Sequence, residues 1–151
     1  MATENEFTPF MAKLVKRYIK AVNRDAPRRA GQVAVRFIKE NFDKEGFFGQ
    51  QWPNVKRRTN PPKGKGKKAA ANHRILTGDT GNLRRSIQFE VGNAEVTVFS
   101  DLPYSAVHNE GLRAGRGKGF QMPRRQFIGD HPKLAEALTK AVQDEITKKL
   151  K

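Results

Sequence analysis

The chain has 151 residues, enough for a single domain that buries roughly 70% of its unfolded surface. Its 36% apolar content, with ten Phe, supports a modest core. No apolar run approaches the ~18 residues of a transmembrane helix, and the acidic start MATENEF lacks the apolar centre of an export signal. The absence of cysteine removes disulfides, thiol catalysis and thiolate metal sites together. Thirty Lys and Arg against fifteen Asp and Glu give +15, a balance that favours anionic partners without naming one.

In chain order, residues 7 to 22 place Phe7, Phe10, Met11, Leu14, Val15, Tyr18, Ile19 and Val22 at helical spacing, and Lys13, Lys16, Arg17 and Lys20 on the other face. Thr8 is the expected cap, with Pro9 at the first helical position. Asp25-Ala26-Pro27 reads as a break and a fresh cap, because an interior proline costs about 3 kcal/mol. A second helix then runs to about Phe42 on an apolar face of Ala30, Val33, Ala34, Phe37 and Ile38, with no unusual polar residue on its buried side.

Gly46 to Pro53 holds three large aromatics, Phe47, Phe48 and Trp52, without regular periodicity. They form either a plug over the core or a contact with another subunit, and the interface reading is adopted here. A stacking platform for nucleic acid is a further alternative, because basic residues follow directly. From Asn54 to Asn72 nothing can bury itself, and residues 56 to 74 carry eight cations (Lys56, Arg57, Arg58, Lys63, Lys65, Lys67, Lys68 and Arg74) and no acid. This is a flexible basic arm.

Ile87, Phe89 and Val91 alternate with polar neighbours, Gly92-Asn93 has the form of a II′ turn, and Ala94 to Ser100 returns as the paired strand. Pro103 opens a short helix capped by Asp101, carrying Tyr104, Val107 and His108 on one face and ending at Gly111. A glycine-rich basic loop with Arg113, Arg116 and Lys118 follows, and then a short strand near Phe120 to Met122. Asp130 caps a last helix with Leu134, Leu138, Val142 and Ile146 on one stripe. The expected class is α+β: a small antiparallel sheet of three to five strands, flanked by N-terminal and C-terminal helices, with a long basic loop.

Catalytic chemistry finds little support. The three histidines, His73, His108 and His131, are far apart and none is paired at i, i+4, so neither a metal site nor any other cofactor is expected. His108 reads as an imidazole bonded to nearby backbone. Ser86 lacks a nucleophile elbow. Thr77-Gly78-Asp79-Thr80-Gly81 lacks the Lys-Ser/Thr of a phosphate loop and reads as a capped turn opening a short helix. The protein is expected not to be an enzyme.

Three segments carry a resemblance. The first is Thr80, Gly81, Leu83, Ser86 and Ile87. The second is Tyr104, His108 and Gly111, with Ser105 where alanine is common, and the third is Met122, Pro123, Arg125 and Phe127, with Gln126 where a second proline is common. In this order and spacing the chain resembles the Mu-like virion morphogenesis, or tail completion, proteins of tailed bacteriophages. The resemblance implies a structural protein of the neck, forming a homo-oligomeric ring between head and tail. Its neighbours would be other neck, portal-side or tail-tube proteins. It would be made in the host cytoplasm, carried in the virion, and without a membrane partner. The alternative is a basic nucleic-acid-binding module that contacts DNA or acidic partners through Lys56, Arg57, Arg58, Lys63, Lys65, Lys67, Lys68, Arg113, Arg116 and Lys118.

Overall fold

A computed structural model describes residues 4–64 and 71–151. The elements in chain order are α1 (Glu4–Lys20), a π-helical turn (Ala21–Asp25), α2 (Ala26–Asp43), β1 (Gly46–Phe47), β2 (Gln50–Gln51), α3 (Lys56–Thr59), α4 (Asn82–Arg85), β3 (Ile87–Val91), β4 (Val96–Ser100), α5 (Ser105–Glu110), β5 (Arg113–Ala114), β6 (Phe120–Gln121) and α6 (Pro132–Leu150). This is α+β, as expected. The chain divides into two compact units: residues up to Val35 with Phe89–Val98 and Pro132–Lys151, and Arg36–Gln88 with Phe99–His131.

In the first unit, the expected break at Asp25-Ala26-Pro27 does not occur. Helix continues from Glu4 to Asp43, and the proline is absorbed by one wide turn in which Ala26 N–H donates to Ala21 C=O. Pro27 has no N–H for the carbonyl of Asn23, one turn earlier. That carbonyl is taken instead by the N–H of Ala94, at 3.2 Å from the β3–β4 turn. Two other expectations shift in this unit. Helix α1 starts at Glu4, so Pro9 lies inside it rather than at its first position. The β3–β4 turn places its positive φ on Ala94 (57°) rather than Gly92, whose N–H donates to Glu95 C=O at 3.0 Å.

Small residues (Ala21, Ala26, Ala30, Ala34) make the buried face here, with Val33. Gly31 permits the closest approach: a Cβ there would lie 2.3 Å from the ring of Phe89. Arg17 donates to the Lys149 carbonyl of α6 at 2.7 Å, and Lys149 pairs with Asp25 at 3.8 Å. Helix α6 opens at Pro132, two residues after the expected cap. The apolar stripe of α1 is not covered. Phe10, Val15, Tyr18 and Ile19 are each at least half exposed, and Met11 somewhat less.

The core of the second unit is Ile38, Phe42, Trp52, Ala71, Ile75, Leu83, Ile87 and Phe127. Phe42 is its centre, edge-on to Trp52 at 5.6 Å and tilted on Phe127 at 4.9 Å. The stretch read as aperiodic is a minimal antiparallel hairpin, Gly46 opposite Gln51 and Phe47 opposite Gln50. Phe48 and Gly49 turn it with φ of 47° and 99°. A bulky side chain at positive φ is strained unless held. Phe48 is held by a parallel stack on His131 at 4.1 Å, by Phe37 at 5.8 Å, and by its N–H on Asn41 Oδ1 at 3.3 Å.

In place of one sheet of three to five strands, the described residues form three two-stranded pairs. The reason lies in where extended backbone finds its partners. Residues 122 to 128 could extend a sheet, but four of their N–H groups are already spent. Met122 donates to Leu112 C=O (3.1 Å), Arg125 to His108 C=O (2.9 Å), and Phe127 and Ile128 both to Asn109 Oδ1 (2.9 Å each). With donors satisfied by side chains and a helix end, no ladder propagates.

Candidate functional site: a cationic cavity where the three motifs meet

The first motif approaches through a turn. Thr77 Oγ1 donates to Arg74 C=O (2.7 Å), Gly81 N–H donates to Thr77 C=O (2.7 Å), and Gly81 enters α4 at φ 63° without a side-chain cap. Thr80 is exposed, whereas Leu83 and Ile87 go into the core. Ser86 Oγ donates to the Leu83 carbonyl at 2.8 Å and shares a 2.7 Å hydrogen bond with Ser100 Oγ.

The second motif is α5. It starts two residues later than expected, without an Asp101 cap, and ends at Gly111 in the left-handed region (φ 69°). Leu112 N–H returns to Val107 C=O at 3.0 Å, which closes the helix end. A Cβ at Gly111 would lie 2.9 Å from the backbone of Arg124, so the glycine serves both the turn and the passage of the third motif.

That third segment is clamped along its length. Arg125 is buried, with Nε on Pro53 C=O (3.0 Å) and Nη2 on Asn54 C=O (3.1 Å). Trp52 Nε1 donates to Gln126 C=O (2.7 Å), and buried Asn41 Nδ2 donates to Phe127 C=O (3.2 Å). Asn41 and Asn109 carry no motif signal in the sequence, yet both hold this segment. Asn41 corrects the expectation of an α2 face without buried polar groups. Asn109 does the backbone bonding expected of His108, whose imidazole Nδ1 is buried without a hydrogen-bond partner.

The three segments converge on a cavity of about 320 Å³. Its apolar wall includes Val55, Ile75 and Leu83; its polar lining includes Thr77, Tyr104, His108, Arg57 and Arg125, and no acid among the described residues contributes. Tyr104 lies edge-on to His108 at 6.1 Å. Burial, and then the charge of Arg125, hold the His108 pKa below its usual value, so the ring is neutral at pH 7. Burial, with the neighbouring Arg57 charge, lowers that of Arg125 as well.

The basic arm separates into parts. Arg57 donates to the carbonyls of His73 and Arg74 (3.0 Å each). Arg58 forms a two-pronged pair with Glu45 (2.5 and 2.7 Å), which also accepts Ile75 N–H at 2.7 Å. These two arginines therefore close the arm onto the fold rather than standing free for DNA, and Ala71 at its far end is buried. Lys56 and Lys63 are exposed; Lys65, Lys67 and Lys68 lie outside the described residues. Arg116 and Lys118 are exposed in the β5–β6 hairpin, where Arg113 donates to the Lys118 carbonyl. In the aromatic stretch Trp52 is turned inward, so only half-buried Phe47 and Phe48 offer surface to a neighbour. Met122 is half-buried and Pro123 exposed.

No group of three His, Cys, Asp or Glu side chains that could hold a metal occurs among the described residues, and none of their helices is long and apolar enough to cross a membrane. The model of the phage virion morphogenesis family matches residues 4–150. The Mu-like prophage FluMu G protein 2 of Haemophilus influenzae is 38% identical over 66 residues, which are 44% of this chain and 48% of that protein. The chain thus spans about half the length of the curated relative that it matches. No solved structure matches. With a family match over nearly its whole length, and with the three motif segments folded around one cavity, the chain belongs to the phage virion morphogenesis family.

Proposed function

We propose that the protein is a non-enzymatic structural component of the neck or tail-completion machinery, one subunit of a ring that docks between head and tail. Family membership supports the setting, and the uncovered apolar stripe of α1 carries the assembly part. Four large side chains at least half exposed on one helix face make a patch that a finished monomer rarely leaves in water. Lys13, Lys16 and Lys20 share that helix, so the same face on a second copy would bring like charges together. A head-to-tail contact, α1 of one subunit against a different face of the next, avoids this and closes into a ring under rotational symmetry. Virions carrying a labelled copy test the reading: density for the label in a ring at the head–tail junction is expected, and label on the capsid shell or along the tail tube would overturn it.

A second reading, contact with double-stranded DNA, is favoured by exposed Arg116 and Lys118 on a glycine-rich hairpin beside exposed Phe120. It predicts DNA affinity that falls steeply with ionic strength.

A further inference from the structure

The cavity at the meeting of the three motifs is cationic, half apolar, and short of acceptors. Arg57 Nε and His108 Nδ1 are both buried without hydrogen-bond partners, although Arg57 spends its Nη2 on two carbonyls. Arg125 brings a second guanidinium, this one buried, whose Nε and Nη2 donate to the neutral carbonyls of Pro53 and Asn54. No carboxylate among the described residues lines the space, so two positive charges face it without a counter-ion from those residues. Elsewhere in this unit guanidiniums meet acids directly: Arg58 pairs with Glu45, and Arg74 and Arg84 both pair with Asp43 at 2.9 Å. A buried donor left unmade costs about 1–3 kcal/mol, so an arrangement of this kind is relieved by a ligand that supplies acceptors.

We propose that this cavity is a carboxylate-binding site, which receives an acidic side chain of a protein that the chain docks against. A carboxylate accepts from both guanidiniums and from a protonated imidazole, while its aliphatic stem lies on Val55, Ile75 and Leu83. A nucleic-acid phosphate carries its charge without such a stem, so it would leave the apolar wall of Val55, Ile75 and Leu83 unfilled. The source of the carboxylate rests on the reading of the chain as an assembly protein; the chemistry of the cavity stands apart from it.

Binding a carboxylate would favour the imidazolium of His108, so affinity should rise as pH falls below neutral. The charged groups lining the site besides His108 are Arg57 and Arg125, and Tyr104 is the other titratable one. The test is an NMR titration of His108 in the full chain, with sodium acetate, a blocked Ala-Asp-Ala peptide, inorganic phosphate and a short DNA duplex as separate probes. Acetate and the peptide should each raise the His108 pKa by about one unit, which corresponds to about tenfold tighter binding to the protonated form. Arg57→Gln should weaken peptide binding at least tenfold. His108→Phe, followed by calorimetry because the reporter ring is gone, should bind the peptide at alkaline pH with an affinity that no longer rises as pH falls, which keeps the test decisive if Arg57→Gln fails to fold. A His108 pKa unmoved by acetate and peptide overturns the site and leaves the placement in the neck untouched. A shift produced by phosphate or DNA alone overturns it in favour of the nucleic-acid reading. Acetate binding with no response to the peptide rejects the protein source and restricts the site to free small carboxylates.

Discussion

Trp52→Ala should cost about 3–5 kcal/mol of stability, the range for removing a large buried aromatic. The ring is only 7% exposed, lies edge-on to Phe42, and donates to Gln126 C=O, so its loss empties the centre of the second unit and frees one end of the third motif. Against a total of about 5–15 kcal/mol for a typical protein, this is a large share. Trp52→Phe keeps much of the volume and loses the hydrogen bond, for about 1–3 kcal/mol. Urea midpoints at unchanged slope measure both. Full stability in Trp52→Ala, combined with failure to assemble, would restore the view of this tryptophan as a contact with another subunit.

Glu45→Gln should cost about 2–3 kcal/mol near neutral pH and flatten the acid limb of the stability curve. Glu45 is a junction: its carboxylate takes both prongs of Arg58 and the N–H of Ile75, and its own carbonyl accepts from Trp52 N–H at 2.8 Å. The hydrogen bonds from Arg58 hold its pKa below the usual carboxylate value, against the opposing effect of burial. A carboxylate whose folded pKa is depressed stabilises the fold above its unfolded pKa, about 4.3, and that contribution is lost as pH falls through the lower folded value. Denaturant midpoints measured from neutral to acid pH should therefore hold steady, then fall below about pH 4.3, with a smaller fall in Glu45→Gln. An unchanged acid limb in the variant would show that the Arg58 pair contributes nothing.

Much of this was legible where the governing interactions are local. The periodicity of residues 7 to 22 and 26 to 42 gave both long helices, alternation at Ile87, Phe89 and Val91 gave the hairpin strand, and Gly111 gave the end of α5. Failures share a cause, dependence on a partner far along the chain. Pro27 breaks a helix unless a distant N–H takes up the carbonyl it orphans, and Ala94 lies 67 positions away. Phe48 is a poor turn residue until Asn41 and His131 hold it. Arg57 and Arg58 look like free cations until Glu45 and two backbone carbonyls occupy them. The motif residues could be picked out from the sequence, but their common cavity could not, because it needs the turn at Thr77, the helix at Tyr104 and the clamped segment at Arg125 brought together. Asn109 left a faint signal: an asparagine in the last turn of a helix that ends at Glu-Gly can bond passing backbone through its side-chain amide, as it does with Phe127 and Ile128.

The neck assignment is tested most directly in the particle. A phage lacking this protein should accumulate filled heads and separate tails. Purified protein added to that mixture should restore joining, and Tyr18→Asp with Ile19→Asp, on the exposed face of α1, should abolish the rescue while leaving the melting temperature close to that of the parent. Joined, infectious particles formed in the protein's absence would contradict the account.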